Sequence, residues 1–341
     1  MKTYPNILLN TIPAFIILIL VEAFVLSREE YIQQRRKDIW ASFALGVGLL
    51  VIGTITQGMM LFTFTFAYTH RIFAIPENAW WTWMVVFLAD DFSFYWFHRT
   101  SHQVRFFWAS HVVHHSSESY DYAAALRQTW TGNITGTFIF WAWMPLIGIN
   151  PAMLMFMKSL SLVYQFLLHT KTVKRMPAWF EYVFNTPSHH RVHHASDVIY
   201  LDKNHGGVLI IWDRLLGTYQ DEVKKPTFGL TKNIGSANPV AIAFYEWKNL
   251  ACDLRKAVSF KHIINYVFNS PGWSHDGSTK TTKQLQSEIN TKVLCPRLQN
   301  IYDNLVASHS STAEKLLNKA NQRGGISCKA CELCRAKSIT H

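Results

Sequence analysis

The sequence predicts an all-α fold: polytopic membrane helices carrying a polar, histidine-rich helical cap. Three observations lead there. Of 341 residues, 49% are hydrophobic and only 16% charged, against roughly 25% charged in soluble domains. The apolar residues concentrate in long runs in the first half, separated by short polar loops. The chain holds 16 histidines, and most of them fall in tight clusters at or after the ends of those runs.

The first run, "YPNILLNTIPAFIILILVEAFVL" (Tyr4–Leu26), is long enough to cross a bilayer at the rise of an α-helix. Lys2 is a thin positive region for a signal peptide and no small-x-small cleavage site follows, so the segment reads as a retained span. A polar loop, "REEYIQQRRKD" (Arg28–Asp38), leads to a second span from Ile39 through Tyr68. A third, "WWTWMVVFLADDFSFYWF" (Trp80–Phe97), opens on tryptophans suited to an interfacial belt. The apolar stretch Trp130–His169 is too long for one crossing, and Pro145, Gly148 and Pro151 predict a hairpin. Beyond Lys171 the chain is polar and basic. Asn238–Phe268 predicts one or two amphipathic helices, lying on the membrane surface or packed on the cap. "SPGWSHDGSTKTTKQ" is a turn-rich linker, and the stretch from about Gln284 to His341 is a helical appendage or a partly disordered tail.

Charge sets the expected orientation. Arg28, Arg35, Arg36 and Lys37 put the first loop in the cytoplasm by the positive-inside rule. The N-terminus and the loop with His70 and Arg71 then lie outside, and every histidine cluster falls on the cytoplasmic face. The net charge of +11 suits a basic face beside anionic lipid; no compact basic motif points to nucleic acid. Five cysteines (Cys252, Cys295, Cys328, Cys331, Cys334) form no disulfide framework, in keeping with a reducing compartment. "CKACELC" (Cys328–Cys334) has C-x2-C-x2-C spacing, but Ser338 stands where a ferredoxin run would have its fourth cysteine. Three thiolates with His341 could hold zinc; the terminal position favours a reduced tail.

The histidines carry the chemistry. His98 and His102 form HxxxH at the foot of the third span. "HVVHH" supplies His111, His114 and His115, His169 ends the hairpin, and "HRVHH" supplies His190, His193 and His194. A given HxxHH pattern arises by chance on the order of a few times per hundred such chains, and two far less often. On a helix, positions i, i+3 and i+4 share a face, so the three rings of each motif are expected to point one way. Neutral imidazole is the commonest metal ligand. Nine rings exceed what one four-coordinate ion needs, so a dimetal site in the cap is the economical reading. A zinc hydrolase would need a general base, as in HExxH, and no motif has one. There is no nucleophile elbow, P-loop or dinucleotide fingerprint. A membrane metal-binding or metal-transport protein is the alternative, although transporters keep their ionisable groups near the membrane midplane.

The order HxxxH, HxxHH, HxxHH beneath apolar spans resembles the fatty acid hydroxylase/sterol desaturase superfamily of membrane di-iron enzymes. "DFSFYWFHRTSH", "WASHVVHHSSESYDYAAALRQ", "NTPSHHRVHH" and "YLDKNHGGVLIIWDRLLGTY" are similar to the branch that includes alkylglycerol monooxygenase and bacterial sterol desaturase-like proteins. The resemblance is strong over about Asp91–Asp221. It implies two iron ions held by His98, His102, His111, His114, His115, His190, His193 and His194, with His169. It further implies that O2 hydroxylates, desaturates or ether-cleaves a membrane lipid (sterol, fatty acyl or alkyl-ether chain), with electrons from a separate donor, a reductase/cytochrome or a reduced pterin. Asp91, Asn204 and Asp213 are candidates for orienting the ligand imidazoles through their N–H groups. His205 stands where this branch often has tyrosine, which leaves open whether His205, like His189, assists the metals. The expected domains are 1–78, N-terminal transmembrane helices; 79–222, the catalytic domain; 223–283, an amphipathic segment and linker; and 284–341, a polar tail.

Overall fold

The computed structural model describes residues 4–5, 7–26 and 32–289. Among these the secondary structure is helical, and β pairing is limited to two isolated bridges, Phe184 with Leu209 and Ala195 with Phe228. Arg28 of the first loop, Cys295, the Cys328–Cys334 run, His309 and His341 lie outside the described residues.

Among the described residues, three helical segments are long and apolar enough to cross a membrane: Ile7–Val25, Arg36–Thr69 and Pro151–Leu168. The first is α1 (Ile7–Val25), which exposes Ile16, Ile17, Leu20, Val21 and Phe24. Such a helix suits lipid because its backbone groups are satisfied internally. The second belongs to α2 (Ile32–Thr69), whose 38 residues exceed the roughly 20 that one crossing needs. The surplus reaches the cap, where buried Asp38 pairs with Arg127 and accepts from the backbone N–H groups of Glu118 and Ser119.

The expected third span is helical but differs in character. α3 (Trp80–Gln103) continues past Phe97 to carry His98 and His102 on the same helix. It is not among the three apolar segments: Asp90 and Asp91 interrupt its run, and the helix buries Asp90, Asp91, Ser93 and Tyr95 inside the bundle. Trp80, Trp81, Met84, Leu88 and Phe92 form an exposed stripe with the spacing of one helix face.

The hairpin expected over Trp130–His169 has one crossing limb. A 3-10 turn (Thr137–Trp141) and the five-residue α5 (Trp143–Ile147) replace the other. Gly136 before the 3-10 turn and Gly148 after α5 adopt left-handed backbone conformations that bound this limb. Asn150 then caps α6 (Pro151–Leu168) by accepting from the Ala152 N–H, with Pro151 in the first turn. The core between α2, α3, α5 and α6 contains Phe64, Val86, Trp141, Met144, Met153 and Leu154.

In the cap, extended Val104 breaks α3 from α4 (Arg105–His115). α7 (Ala178–Val183), α8 (Pro187–His193) and α9 (Ile211–Leu216) follow α6. The segment expected to form one or two amphipathic helices forms three short ones: α10 (Pro239–Ala243), α11 (Tyr245–Leu254) and α12 (Phe260–Phe268). They brace α4: buried Arg105 bonds Glu246 at 2.8 Å and Asp253 at 2.8 Å, and its N–H meets the Asn269 carbonyl. The chain separates into one unit ending at Thr279 and a second beginning at Lys280. In the second, residues 282–289 are helical, and Thr281 and Gln284 exchange hydrogen bonds in a capping box.

Candidate metal centre

Two histidine groups lie at the ends of these helices, each with its ligand atoms within 4.8 Å of one another. The first comprises His98, His102, His111, His115 and His193, and the second His114, His169, His190 and His194. All nine residues singled out in the sequence come together. The HxxHH motifs do not each face one way, however. In each, the i and i+4 rings (His111 and His115; His190 and His194) stay in one group, while the i+3 ring (His114; His193) crosses to the other. At about 100° per residue the i+3 and i+4 positions fall on opposite sides of i, so the i+3 ring lies about 60° from i and about 100° from i+4. Two helices packed face to face can therefore trade one ring each.

The ring nitrogens define which donor atoms the site presents. His98 Nδ1 donates to the His205 carbonyl at 2.8 Å and His193 Nδ1 to the Lys203 carbonyl at 2.9 Å. His114 Nδ1 donates to the Arg127 carbonyl at 3.2 Å and His169 Nδ1 to the Gln165 carbonyl at 2.9 Å. A carbonyl only accepts, so each Nδ1 carries the proton and each neutral ring has a bare Nε2. Yet the Nε2 atoms of His114 and His169 face each other at 3.3 Å. Two lone pairs cannot hydrogen-bond. Similar Nε2 contacts of 3.1 Å join His98 with His111, His115 with His193, and His190 with both His169 and His194. Adjacent donors on one ion with metal–nitrogen bonds of about 2.1 Å would sit about 3 Å apart. The donor set fits metal ions.

Electrostatics agree. Burial drives the His114 ring down to about 4. Burial, then the neighbouring His114 ring, drives His169 down to about 3. Burial likewise holds His111, His115, His190, His193 and His194 well below the ordinary range. The rings are thus neutral near pH 7, the form that ligates.

Asp91, Asn204 and Asp213 act one step further out than expected. The Asp91 and Asp213 carboxylates bond the loop after α8, and the Asn204 side chain ties that loop to α8 and Gln220, instead of meeting the nine histidine rings. Asp91 accepts from the N–H groups of Val208 and Leu209 and from Trp212 Nε1. Asp213 accepts from the N–H groups of His205 and Gly206 and from Thr218. Asn204, in a left-handed conformation, bonds the His189 and Gln220 carbonyls and the Gln220 N–H. Together they hold the loop whose carbonyls orient His98 and His193. Gly207 is tied to this arrangement, since a Cβ there would lie 2.9 Å from Asp91 Oδ1 and 2.8 Å from the Phe94 ring.

Several contributors were not legible in sequence. Arg191, inside the second motif, points away from the rings; it grips Glu222 and the Thr170, Val173 and Lys174 carbonyls, fixing α8 against the end of α6. Asp202 Oδ1 lies 3.6 Å from His102 Nδ1. Tyr120 is buried, donates to the Leu168 carbonyl and stacks near His169. The "HRVHH" spacing could flag Arg191 as the residue on the opposite face; the other two depend on long-range packing. His189 is buried beside Tyr219 but belongs to neither group.

The fatty acid hydroxylase family model matches residues 83–218, a segment that contains all nine rings. The chain is 33% identical over 293 residues to alkylglycerol monooxygenase of Homo sapiens, covering 85% of the chain and 64% of the relative. The same-named protein of Danio rerio is 38% identical over 200 residues, 59% of the chain and 44% of the relative. An ornithine lipid hydroxylase of Rhizobium tropici is 27% identical over 164 residues, 45% of each. The chain thus spans less than two thirds of these relatives. No solved structure matches it.

Proposed function

We propose that this chain, which carries a fatty acid hydroxylase domain over residues 83–218, is an integral-membrane oxygenase that uses O2 to oxidise a lipid. The observation that carries the reading is the bare Nε2 pair of His114 and His169 at 3.3 Å, which calls for a cation. The five- and four-ring groups would hold two irons. Bound and reduced by an external donor, a reductase/cytochrome or a reduced pterin, such a pair supplies O2 activation for attack on an unactivated C–H bond.

The chain's own residues do the rest. Backbone carbonyls of Gln165, Arg127, Lys203 and His205 hold four rings in the tautomer that presents Nε2 inward. Burial keeps the rings unprotonated and limits water at the site. His169 caps α6, a helix long and apolar enough to cross a membrane, so an aliphatic chain entering along it from the bilayer would reach the second group. The similarity to alkylglycerol monooxygenases puts alkyl-ether lipids first among substrates, with hydroxylation beside the ether oxygen as the reaction. The charge of the first loop supports a cytoplasmic position for the cap.

The test is metal analysis of the purified full chain beside O2-dependent oxidation of a 1-O-alkyl glycerolipid in nanodiscs with supplied reductant. About two irons per chain and O2-dependent product are expected. One zinc with full turnover would overturn the di-iron reading. Bound metal without turnover on any lipid would favour the metal-binding alternative.

A further inference from the structure

We propose that His205 is a tenth metal-directed imidazole, the sixth ring of the group formed by His98, His102, His111, His115 and His193. This rests on the metal centre proposed above. His205 is fully buried, and neither ring nitrogen has a hydrogen-bond partner among the described residues. Burying a polar ring with both nitrogens unpartnered is costly, so natural folds rarely keep such a group without a use for it. Its ring centre lies 5.2 Å from that of His102 and 5.8 Å from those of His98 and His193. Neighbouring rings within the group stand 4.2 Å apart for His98 and His193 and 5.3 Å for His98 and His102. His205 is therefore set only slightly back from the ring of ligands.

The backbone of His205 is built into the site. Its N–H donates to Asp213 Oδ1 at 2.7 Å, and its carbonyl receives the His98 Nδ1 proton at 2.8 Å. Its Nδ1 lies 3.7 Å from Asp213 Oδ1. That carboxylate is the natural holder of an Nδ1 proton once a small ring rotation closes the gap, leaving Nε2 as the donor to an ion. A sixth ring would complete the five-histidine group, so that an ion held there would be enclosed by the protein while one held by the four-histidine group would stay accessible to reactants.

The experiment uses the full chain, iron-loaded in detergent, with His205→Phe and His205→Gln compared with wild type. It reads iron retained against a chelator over time and the melting temperature of the metal-free protein. The expected result is that one of two irons leaves His205→Phe about ten-fold or more faster, while metal-free His205→Phe melts at or above wild type because two unpartnered nitrogens are gone. Retention equal to wild type with both irons bound overturns the inference and leaves the metal centre standing. A wild type that holds no iron overturns the metal centre itself. Equal destabilisation of metal-free and loaded variants assigns the ring to packing and overturns the inference, as does failure of both variants to insert.

Discussion

The Nε2 atoms of His115 and His193 lie 3.1 Å apart although 78 positions separate the residues in the chain. This contact joins α4 to α8 and shows that neither histidine motif is a site by itself. His193 belongs with the rings of the first motif, as His114 belongs with those of the second.

That exchange predicts how ligand variants fail. His193→Ala should weaken the five-ring group and His114→Ala the four-ring group, each lowering affinity for one ion by more than the about 10–100-fold that loss of an orienting partner costs and abolishing lipid oxidation. The spans keep their own backbone bonds, so membrane insertion should persist. Iron content, turnover and detergent-extracted yield check this; near-normal turnover in either variant would falsify the metal-centre reading.

The metal-free protein should lose stability in mild acid. The rings of His114 and His169 are depressed by burial to about 4 and about 3, whereas an unfolded histidine titrates near 6.5. Between those values the unfolded chain binds more protons than the folded one, so stability falls as pH drops below about 6.5 and continues to fall through the folded values. Melting of metal-free protein from pH 8 to pH 5 should show a plateau above about 7 and a steady decline below. A flat profile would mean that the rings are solvated.

Asp38 and Arg127 form a pair at 3.0 Å, and the Arg127 carbonyl orients His114. Asp38→Ala leaves a buried guanidinium without its carboxylate and should cost about 3–5 kcal/mol, with metal loss from the four-ring group. Adding Arg127→Met should recover much of the stability, because the uncompensated charge is removed. Thermal melts of single and double variants read this directly; equal loss in both would place the effect elsewhere.

Gly207→Ala should destabilise by about 1–3 kcal/mol, since its Cβ would push on Asp91 and Phe94. Gly58→Ala is the control: a Cβ there meets nothing within 4 Å, and alanine favours the helix. Equal melting of the two variants would show that the loop after α8 yields without strain.

Orientation is open to a labelling test. Cys252 is exposed on α11 in the cap and Ile72 is exposed in the loop between α2 and α3. With the other cysteines changed to serine, an impermeant thiol reagent should label Ile72→Cys from outside intact cells and reach Cys252 only after lysis. The reverse pattern would invert the topology.

Elements whose cause is local could be read from the order of the amino acids alone. An apolar run long enough for a bilayer must pair its backbone internally, so the spans over α1, α2 and α6 were legible. Imidazoles at i, i+3 and i+4 project from one region of a helix, so the ligand candidates were legible as well. Tertiary structure decided what depends on partners distant in the chain. Asp90 and Asp91 gave α3 a buried polar face instead of a purely apolar crossing, and left-handed glycines reduced one limb of the hairpin to short turns. The split of each HxxHH motif depends on how α4 and α8 meet, because helix periodicity fixes where a ring points but not which ring it faces. The groups that hold the rings in place are backbone carbonyls of residues 127, 165, 203 and 205. Gln165 lies one helical turn before His169, but the other three come from elsewhere in the chain, and every residue has such a carbonyl, so only packing could select those three.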